Sequence, residues 1–355
     1  MNVKFKILFK LIMKNIKKIK RFFTDKNSVC VIAEACDNHF GSLELAKKMI
    51  IQSKKSGADV IKFQHHLPDE EMLPNVPKSS NFDMPLYEFL KKYALKLKDH
   101  EKLKAFCDKH NIIYLCTPFS LKAAYELNEI GVEWFKIGSG EMTDTPTIEK
   151  ILDLKKPILV STGMSTLTEI KRTYELLKKK SKFFSLLNCT SEYPPDLKDL
   201  NLRFIEIMKK NFNKAVIGHS DHTSNIFTSM AAVTLGAKFI EKHIYISDKF
   251  SGPDKDVSIS IQQLKKLVEA INIIKPSLGD QKKINKKELP IRKWAFRSIV
   301  SLRDLNVGEI LKKDMIWSKR PGTGIPSYKM YDLIGKKVKK KVKKNTLLKY
   351  SDLNN

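Results

Sequence analysis

Short apolar runs alternate with longer amphipathic segments along most of this chain. The runs are rich in Val, Ile and Phe, which is typical of buried parallel strands, whereas the segments between them repeat apolar residues with a helical period. The runs are VCVIAE (29–34), DVIKFQ (59–64), IIYLCT (112–117), EWFKIG (133–138), PILVST (157–162), FFSLLNC (183–189), AVIGHS (215–220) and FIEKH (239–243). Eight strand–helix units over about 250 residues predict an α/β protein with a (β/α)8 TIM barrel.

The pattern changes after the barrel. Residues 276–293, PSLGDQKKINKKELPIRK, lack a sustained apolar period and predict a linker. The rest of the chain has short strand-like runs and turns, and GEILKKDM (308–315) resembles NTLLKYSDL (345–353), so we expect a small β-rich domain. The predicted organisation is an N-terminal basic helix over 1–28, a catalytic barrel over 29–275, the linker over 276–293 and the small domain over 294–355.

The first 28 residues have the pattern of a basic amphipathic helix. Lysines occupy one face, and the other face carries the apolar residues Phe5, Leu8, Phe9, Ile12, Ile16, Ile19 and Phe23. We favour a helix packed onto the base of the barrel, and the alternative is a helix lying on an anionic membrane surface. No apolar stretch approaches the ~20 residues that a transmembrane helix needs.

The charge of the chain is concentrated at its two ends. The formal net charge is +27, of which residues 1–28 carry +8 and residues 294–355 carry +10. A nucleic-acid partner is therefore not predicted, although a surface-binding protein with an inactive barrel is the alternative from another functional class. Five cysteines without a CxxC pair predict free thiols in a reducing, cytoplasmic setting.

Polar side chains follow the end of every predicted strand. Because the active site of a parallel barrel lies where the strands end, these side chains are the candidate site. They are Glu34, Lys62, Gln64, Thr117, Lys136, Ser139, Ser161, Thr162, Cys189, Thr190, Ser220, His222, Glu241 and His243. His65 and His66 follow the second strand and could contact substrate, although our default interpretation is that they are exposed loop histidines.

Two histidines of this set predict a metal site. His222 and His243 close the seventh and eighth strands, which are neighbours at the barrel rim, so that their imidazoles can converge on one ion. Two neutral imidazoles completed by water and substrate oxygens suit Mn²⁺, Co²⁺ or Mg²⁺ better than a closed structural zinc site.

Two lysines lie inside otherwise apolar strands. Burial of the Lys62 and Lys136 ammonium groups is costly without a partner. We expect the partner to be a bound anion, a carboxylate or a phosphate, which would also accept hydrogen bonds from nearby hydroxyl groups. The alternative is a structural salt bridge to Glu34 or Glu241. Glu34 is also a candidate acid or base, whereas Cys189 is interpreted as a packing residue.

Ten ordered motifs resemble those of the sialic acid synthase family, which condenses phosphoenolpyruvate with an N-acetylated amino sugar. They are IAEACDNHFG, GADVIKFQ, LCTPFS, FKIGSGE, STGMS, CTSEYP, SDHT, EKH, GPD and KRPGTGI, between Val29 and Leu353. The resemblance implies a C-terminal antifreeze-like domain. It also implies a homodimer in which this domain crosses to the barrel of the partner subunit.

The resemblance further implies a role for each candidate residue. A divalent ion, with Mn²⁺ favoured over Mg²⁺ or Co²⁺, would bind His222 and His243. Phosphoenolpyruvate would be held by Lys62, Thr117, Lys136, Ser139, Ser161 and Ser220. The acceptor sugar would contact Glu34, Gln64, Asn81, Tyr193 and Asp254, with Arg320 of the partner's small domain on its N-acetyl group. Glu34 would handle protons, and Glu141 would be a further acid of the site.

Three departures from the family pattern lie around the expected sugar site. The first motif reads EACDNHFG where relatives usually have Gly after IAEI, the second reads FQHH rather than FQT, and Ser191 stands where some relatives have Asn. The leading hypothesis is an N-acetylneuraminate synthase that acts on N-acetylmannosamine. The alternative within the class is a legionaminic or pseudaminic acid synthase that uses a 2,4-diacetamido-trideoxy sugar.

Overall fold

The structure is a computed structural model that describes residues 3–77, 84–247, 252 and 254–354, with side chains from residue 12 onward. The chain forms two compact units, Met1–Gly279 and Asp280–Asn355. Asn81, predicted to contact the sugar, lies outside the described residues.

The first unit contains a closed barrel of parallel strands. They are β1 (Cys30–Glu34), β2 (Val60–His65), β3 (Ile113–Pro118), β4 (Phe135–Ile137), β5 (Ile158–Ser161), β6 (Phe184–Cys189), β7 (Val216–Asp221) and β8 (Phe239–Tyr245). Each strand pairs with the next, and β1 also pairs with β8, which closes the ring. In this register Glu34 lies opposite both Lys62 and His243. The predicted TIM barrel is therefore confirmed, and every predicted run overlaps one of its strands.

Helices separate the strands, and polar residues mark several of their starts. The helices are α1 (Val3–Thr24), α2 (Leu43–Lys55), α3 (Pro68–Glu71), α4 (Leu86–Tyr93), α5 (Leu97–His110), α6 (Leu121–Glu129), α7 (Thr145–Asp153), α8 (Leu167–Lys180), α9 (Phe204–Asn211), α10 (Phe227–Thr234) and α11 (Ile261–Ser277). Thr166 and Ser260 begin α8 and α11 with complete capping boxes. A two-residue strand, β9 (Ile259–Ser260), pairs with the end of β8.

The base of the barrel is closed by α1. Ile19 and Phe22 of this helix are buried in one apolar cluster with Trp134 and Phe239. Asn15 adds a polar contact by donating to the carboxylate of Asp108 over 2.9 Å. This is the position that the first of our two interpretations of the basic helix predicts. None of the described helices is long and apolar enough to cross a membrane.

The second unit is small and built from short elements. It contains α12 (Glu288–Ala295), β10 (Ser298–Ser301), β11 (Ile316–Lys319) and α13 (Met330–Leu333), and β10 pairs antiparallel with β11. The predicted linker, 276–293, thus begins in the last turn of α11 and ends within α12, a helix in which no residue is buried.

The two similar segments of the second unit adopt similar structures. Gly308 and Asn345 both have positive φ, at 93° and 59°, in the turn of each segment. The turn is followed in each case by a short 3-10 helix, Lys313–Met315 or Tyr350–Asp352. The repeat seen in the sequence is therefore also a repeat of local structure.

Candidate active site

Four charged side chains meet inside the barrel near the ends of their strands. Lys62 Nζ lies 2.8 Å from Glu241 Oε1 and 3.4 Å from Glu34 Oε2. Lys136 Nζ lies 3.2 Å from the same Glu241 oxygen. All four residues are almost completely buried. The salt bridges that we considered as an alternative partner for the two lysines are therefore present, and they gather two ammonium groups in one place.

Burial and the neighbouring charges set the protonation of this cluster. Burial raises the pKa of Glu34 to about 7, although Lys62 opposes the rise. Burial alone would also raise the pKa of Glu241, but Lys136 and Lys62 outweigh it and hold that pKa far below its usual range. Near neutral pH Glu34 is partly protonated, so the four groups together carry a charge between zero and +1. Such a cluster favours an anionic ligand.

Hydroxyl groups also lie at or near the ends of the barrel strands. Ser220 Oγ donates to Glu241 Oε1 over 2.9 Å, and Gly163 N donates to Ser139 Oγ over 3.1 Å. Thr117 Oγ1 and Ser161 Oγ are buried and find no hydrogen-bond partner among the described residues. Because buried polar groups are almost always satisfied, these two hydroxyls indicate a ligand with acceptor oxygens.

The two predicted metal ligands face each other at the rim. The ring centroids of His222 and His243 are 5.2 Å apart, and the ring planes meet at 78°. Nδ1 of His222 lies 2.8 Å from the carbonyl oxygen of Thr190, so Nδ1 carries the proton and Nε2 keeps a lone pair. That Nε2 lies 3.3 Å from the hydroxyl of Tyr193. The geometry leaves His222 able to bind a metal ion through Nε2.

His243 belongs to a second group of ligand atoms. One atom from each of Cys36, His243 and Asp254 lies within 4.8 Å of the others. His243 Nδ1 is 3.8 Å from Asp254 Oδ2 and makes no hydrogen bond within the described part of the chain. Burial lowers the pKa of His222 to about 4 and that of His243 well below its usual value, so both imidazoles are neutral. This donor set fits a divalent cation.

The strands that carry these histidines are joined by a buried ion pair on their outer face. Lys242 Nζ lies 3.0 Å from Asp221 Oδ1 and donates to Thr223 Oγ1 over 3.0 Å. Ser229 Oγ of α10 donates to the other oxygen of the Asp221 carboxylate over 2.6 Å. These contacts hold the residues on both sides of His222, which lies between Asp221 and Thr223.

A chain of hydrogen bonds leads from Glu34 away from the lysines. Gln64 Nε2 donates to Glu34 Oε1 over 2.8 Å, and Gln64 Oε1 lies 3.0 Å from His66 Nε2. His66 Nδ1 in turn lies 3.0 Å from Glu71 Oε1. Burial would lower the pKa of His66, but the Glu71 contact and the nearby carboxylates outweigh it and raise that pKa.

The interpretation of His65 and His66 as exposed loop histidines is wrong. Both are buried. His65 Nε2 lies 2.7 Å from Glu126 Oε2 of α6, and the ring of His66 stacks on Phe119 with centroids 4.1 Å apart. Glu126 and Phe119 are distant in sequence, so only the nearby Gln64 and Glu71 could have indicated a role for His66.

The remaining predicted residues are divided between the two units. The ring of Tyr193 packs against His222 with centroids 4.4 Å apart. Glu141 Oε2 is buried without a hydrogen-bond partner in the described ranges, and burial raises the pKa of this carboxyl. Arg320 belongs to the second unit, where its guanidinium lies 5.2 Å from the centre of the Trp294 ring.

The fold and site define a class before any comparison is made: a TIM barrel in which two buried ammonium groups lie inside the barrel and a Cys/His/Asp group that could hold a metal ion is also buried. Comparison with known proteins gives the family. The model of the NeuB family matches residues 49–283, and that of the SAF domain matches residues 296–354. The chain belongs to the NeuB family of sialic and other nonulosonic acid synthases, with a C-terminal SAF domain.

Individual relatives cover nearly the whole chain. The N,N'-diacetyllegionaminic acid synthase of Campylobacter jejuni is 38% identical over 90% of this chain and 98% of its own. A pseudaminic acid synthase of the same species is 34% identical over 94% of this chain and 99% of its own. The crystal structure of the N-acetylneuraminic acid synthetase of Leptospira borgpetersenii is 32% identical, with a TM-score of 0.70 over 75% of this chain and 90% of that chain.

Proposed function

We propose that this protein condenses phosphoenolpyruvate with an N-acetylated amino sugar and water to give a nonulosonic acid and phosphate. The observation that carries the proposal is the pair of buried ammonium groups, Lys62 and Lys136, beside unpartnered hydroxyls and next to the His222–His243 pair. Family membership supports the same reaction class.

Phosphoenolpyruvate carries a phosphate and a carboxylate on three carbons, and the pocket offers matching groups. Lys62 and Lys136 supply positive charge in a buried environment, where electrostatic interactions are strong. Thr117 and Ser161 supply free hydroxyl donors, as judged from the described residues. Ser139 and Ser220 complete the proposed set. Fixed donors of this kind hold the anion and the phosphate leaving group throughout the reaction.

His222 and His243 are the residues that would hold the divalent ion. When bound, such an ion acts as a Lewis acid that polarises a carbonyl group, here the aldehyde of the open-chain sugar. Mn²⁺ is the ion that the family resemblance favours. The neutral state of both imidazoles supports this role, because a protonated imidazole cannot bind a metal ion.

Glu34 is the proposed proton-handling residue. C3 of phosphoenolpyruvate attacks the aldehyde carbon, and the aldehyde oxygen takes a proton from a carboxylic acid. Water then adds at C2, and phosphate leaves with cleavage of its C–O bond. A pKa of about 7 leaves Glu34 partly protonated at neutral pH, as a general acid requires. Gln64 holds this carboxyl, and Glu141 is the second acid that we assign to the site.

We propose a 2,4-diacetamido-trideoxy sugar of the legionaminic type as the acceptor. The higher identity to the legionaminic acid synthase, 38% against 34% for the pseudaminic acid synthase, favours it over our initial hypothesis of N-acetylmannosamine. N-acetylmannosamine stays the second candidate, because the Leptospira synthetase is 32% identical. Tyr193 and Asp254, beside the histidine pair, are proposed to contact the acceptor.

We also propose a homodimer in which the SAF domain of one subunit places Arg320 at the sugar site of the other. A cytoplasmic setting and contact of α1 with a membrane surface stay predictions. The cysteines, all within the described residues, are free and buried, as expected for a reducing compartment.

The test is an assay of the purified full chain with phosphoenolpyruvate, Mn²⁺ and each acceptor in turn. Phosphate release is recorded together with the mass of the product. We expect turnover with the 2,4-diacetamido-trideoxy sugar and a product enlarged by a three-carbon acid. Turnover with N-acetylmannosamine alone would overturn the acceptor assignment but keep the reaction. No phosphate release with either acceptor sugar would contradict the proposed reaction.

A further inference from the structure

Cys36 differs from most cysteines of this chain in its surroundings. Cys30, Cys107 and Cys116 are members of apolar clusters. Cys36 is equally buried, but its sulfur lies within 4.8 Å of a carboxylate oxygen of Asp254, and the carboxylates of Glu34 and Asp37 are close enough to act on it electrostatically. A thiol used only for packing would gain nothing from three carboxylates.

The backbone at Cys36 also distinguishes this residue. Its φ is 40°, in the left-handed region that a residue with a Cβ adopts at a cost and that glycine adopts freely. Cys36 lies two residues after the end of β1, which brings its thiol to the same end of the barrel as His243, the residue opposite Glu34 in the sheet register. The position carries a side chain where a glycine would be less strained.

A second observation indicates a ligand at this place. His243 is 5% exposed, and its Nδ1 has no hydrogen-bond partner within the described ranges although Asp254 Oδ2 is 3.8 Å away. One donor atom each from Cys36, His243 and Asp254 lies within 4.8 Å of the others, a spacing that a metal ion bridging the three would satisfy. The carboxylates around the thiol oppose a bare thiolate, but a cation between them would favour one.

We propose that Cys36 binds the divalent ion of the active site as a thiolate, together with His243 and Asp254. This inference rests on the metal site of the proposed function and deepens it. Because sulfur is a soft ligand, the site would select Co²⁺, Zn²⁺ or Fe²⁺ over Mg²⁺. On binding, the Cys36 thiol loses its proton to solvent. His222 is not one of these three residues, but its ring lies beside His243 and its Nε2 keeps a lone pair that can bind the same ion.

The test uses Co²⁺ as the probe, because a thiolate bound to Co²⁺ gives a near-ultraviolet charge-transfer band that oxygen and nitrogen ligands do not. The metal-free full chain is titrated with CoCl₂, and the band and the Kd are measured. We expect the band in the unmodified protein and its loss in Cys36→Ser. The Kd should weaken by more than the ~10-fold that loss of an outer hydrogen-bond partner typically costs.

Two further variants keep the test interpretable. Cys189→Ser is the matched control, since Cys189 is also buried at the end of a barrel strand but lies outside the ligand group, and it should keep the band. Cys36→Gly removes the thiol at a position whose φ suits glycine, so it should fold and lack the band.

The inference is overturned if Co²⁺ binds the unmodified protein without a charge-transfer band, if no Co²⁺ binds, or if Cys36→Gly keeps the band. Phosphate release from phosphoenolpyruvate is measured separately, in the presence of Mn²⁺ or Mg²⁺, and none of these three results predicts its loss. Failure of the thiolate assignment is therefore separable from failure of the proposed reaction.

Discussion

The ammonium nitrogen of Lys62 lies 2.8 Å from Oε1 of Glu241 inside the barrel, where both side chains are almost completely buried. The same carboxylate oxygen accepts a hydrogen bond from Lys136 Nζ, which lies 3.2 Å away. One carboxylate thus holds together two cations that would otherwise repel each other. The two lysines are thus held in place without a ligand, as the proposed anion pocket requires.

Glu241→Gln should destabilise the protein more than Lys62→Met. The first change leaves two buried ammonium groups without their shared counter-charge, and loss of one partner of a buried pair costs about 3–5 kcal/mol. The free energy of unfolding from urea titration measures both. Inorganic phosphate should raise the Tm of Glu241→Gln more than that of the unmodified protein, because it replaces the lost negative charge. Equal Tm shifts would contradict an anion pocket at these lysines.

Glu34 should make the stability of the protein depend on pH in a specific window. Its pKa is raised from 4.5 to about 7 by burial, so the folded protein binds the proton more tightly than the unfolded chain. The contribution of Glu34 to stability is therefore greatest below pH ~4.5 and falls as the pH rises to ~7, by roughly 3 kcal/mol at most. Glu34→Gln should remove this part of the pH dependence in urea titrations. An unchanged pH dependence would show that Glu34 titrates normally.

Phe22→Ala should destabilise the barrel by about 3–5 kcal/mol, because it opens a cavity in a closely packed aromatic cluster. Phe22 packs against Trp134 and Phe239, with ring centroids 6.5 and 6.3 Å away. Lys20→Ala on the exposed face of the same helix is the control and should change stability by less than ~0.5 kcal/mol. Urea titration distinguishes the two, and a small effect of Phe22→Ala would mean that α1 does not close the barrel base.

Glu71→Gln should raise the KM for the acceptor sugar by roughly tenfold and leave the KM for phosphoenolpyruvate unchanged. The Glu71 carboxylate is hydrogen-bonded to His66, which in turn is hydrogen-bonded to the amide of Gln64. Without this carboxylate, Gln64, a proposed sugar ligand, is less well oriented, and we expect sugar binding to weaken by about 1.4 kcal/mol. Glu70→Gln is the matched control, because Glu70 forms an exposed ion pair with Lys122. An equal rise in both KM values would place Glu71 outside the sugar site.

Lys62→Met and Arg320→Ala should complement each other if the SAF domain crosses to the partner subunit. Each variant alone should be nearly inactive. After mixing under conditions that exchange subunits, half of the dimers are mixed and each has one intact site, so about a quarter of the unmodified activity should return. Product formation measures the recovery. Without any recovery, the proposal that Arg320 acts in the partner's site is wrong.

Much of the fold could be read from local pattern. Each of the eight barrel strands overlaps a short apolar run, because strands buried on both faces are mostly apolar. The rim residues were predictable for a related reason, since parallel strands end at one edge of a barrel and a polar residue ending an apolar run must face that edge. The turn repeat of the second unit was also visible in the sequence.

The sequence by itself determined the strands, their order around the barrel and the residue types at its rim. Only the tertiary structure decided which of those residues are partners. His66 is buried against Phe119, and Cys36 meets Asp254 across more than two hundred positions of chain. The periodicity and composition of the sequence show which face of a helix or strand is apolar. Closure of the barrel decides which polar side chains lie close together, and therefore which charges and ligand atoms act on one another.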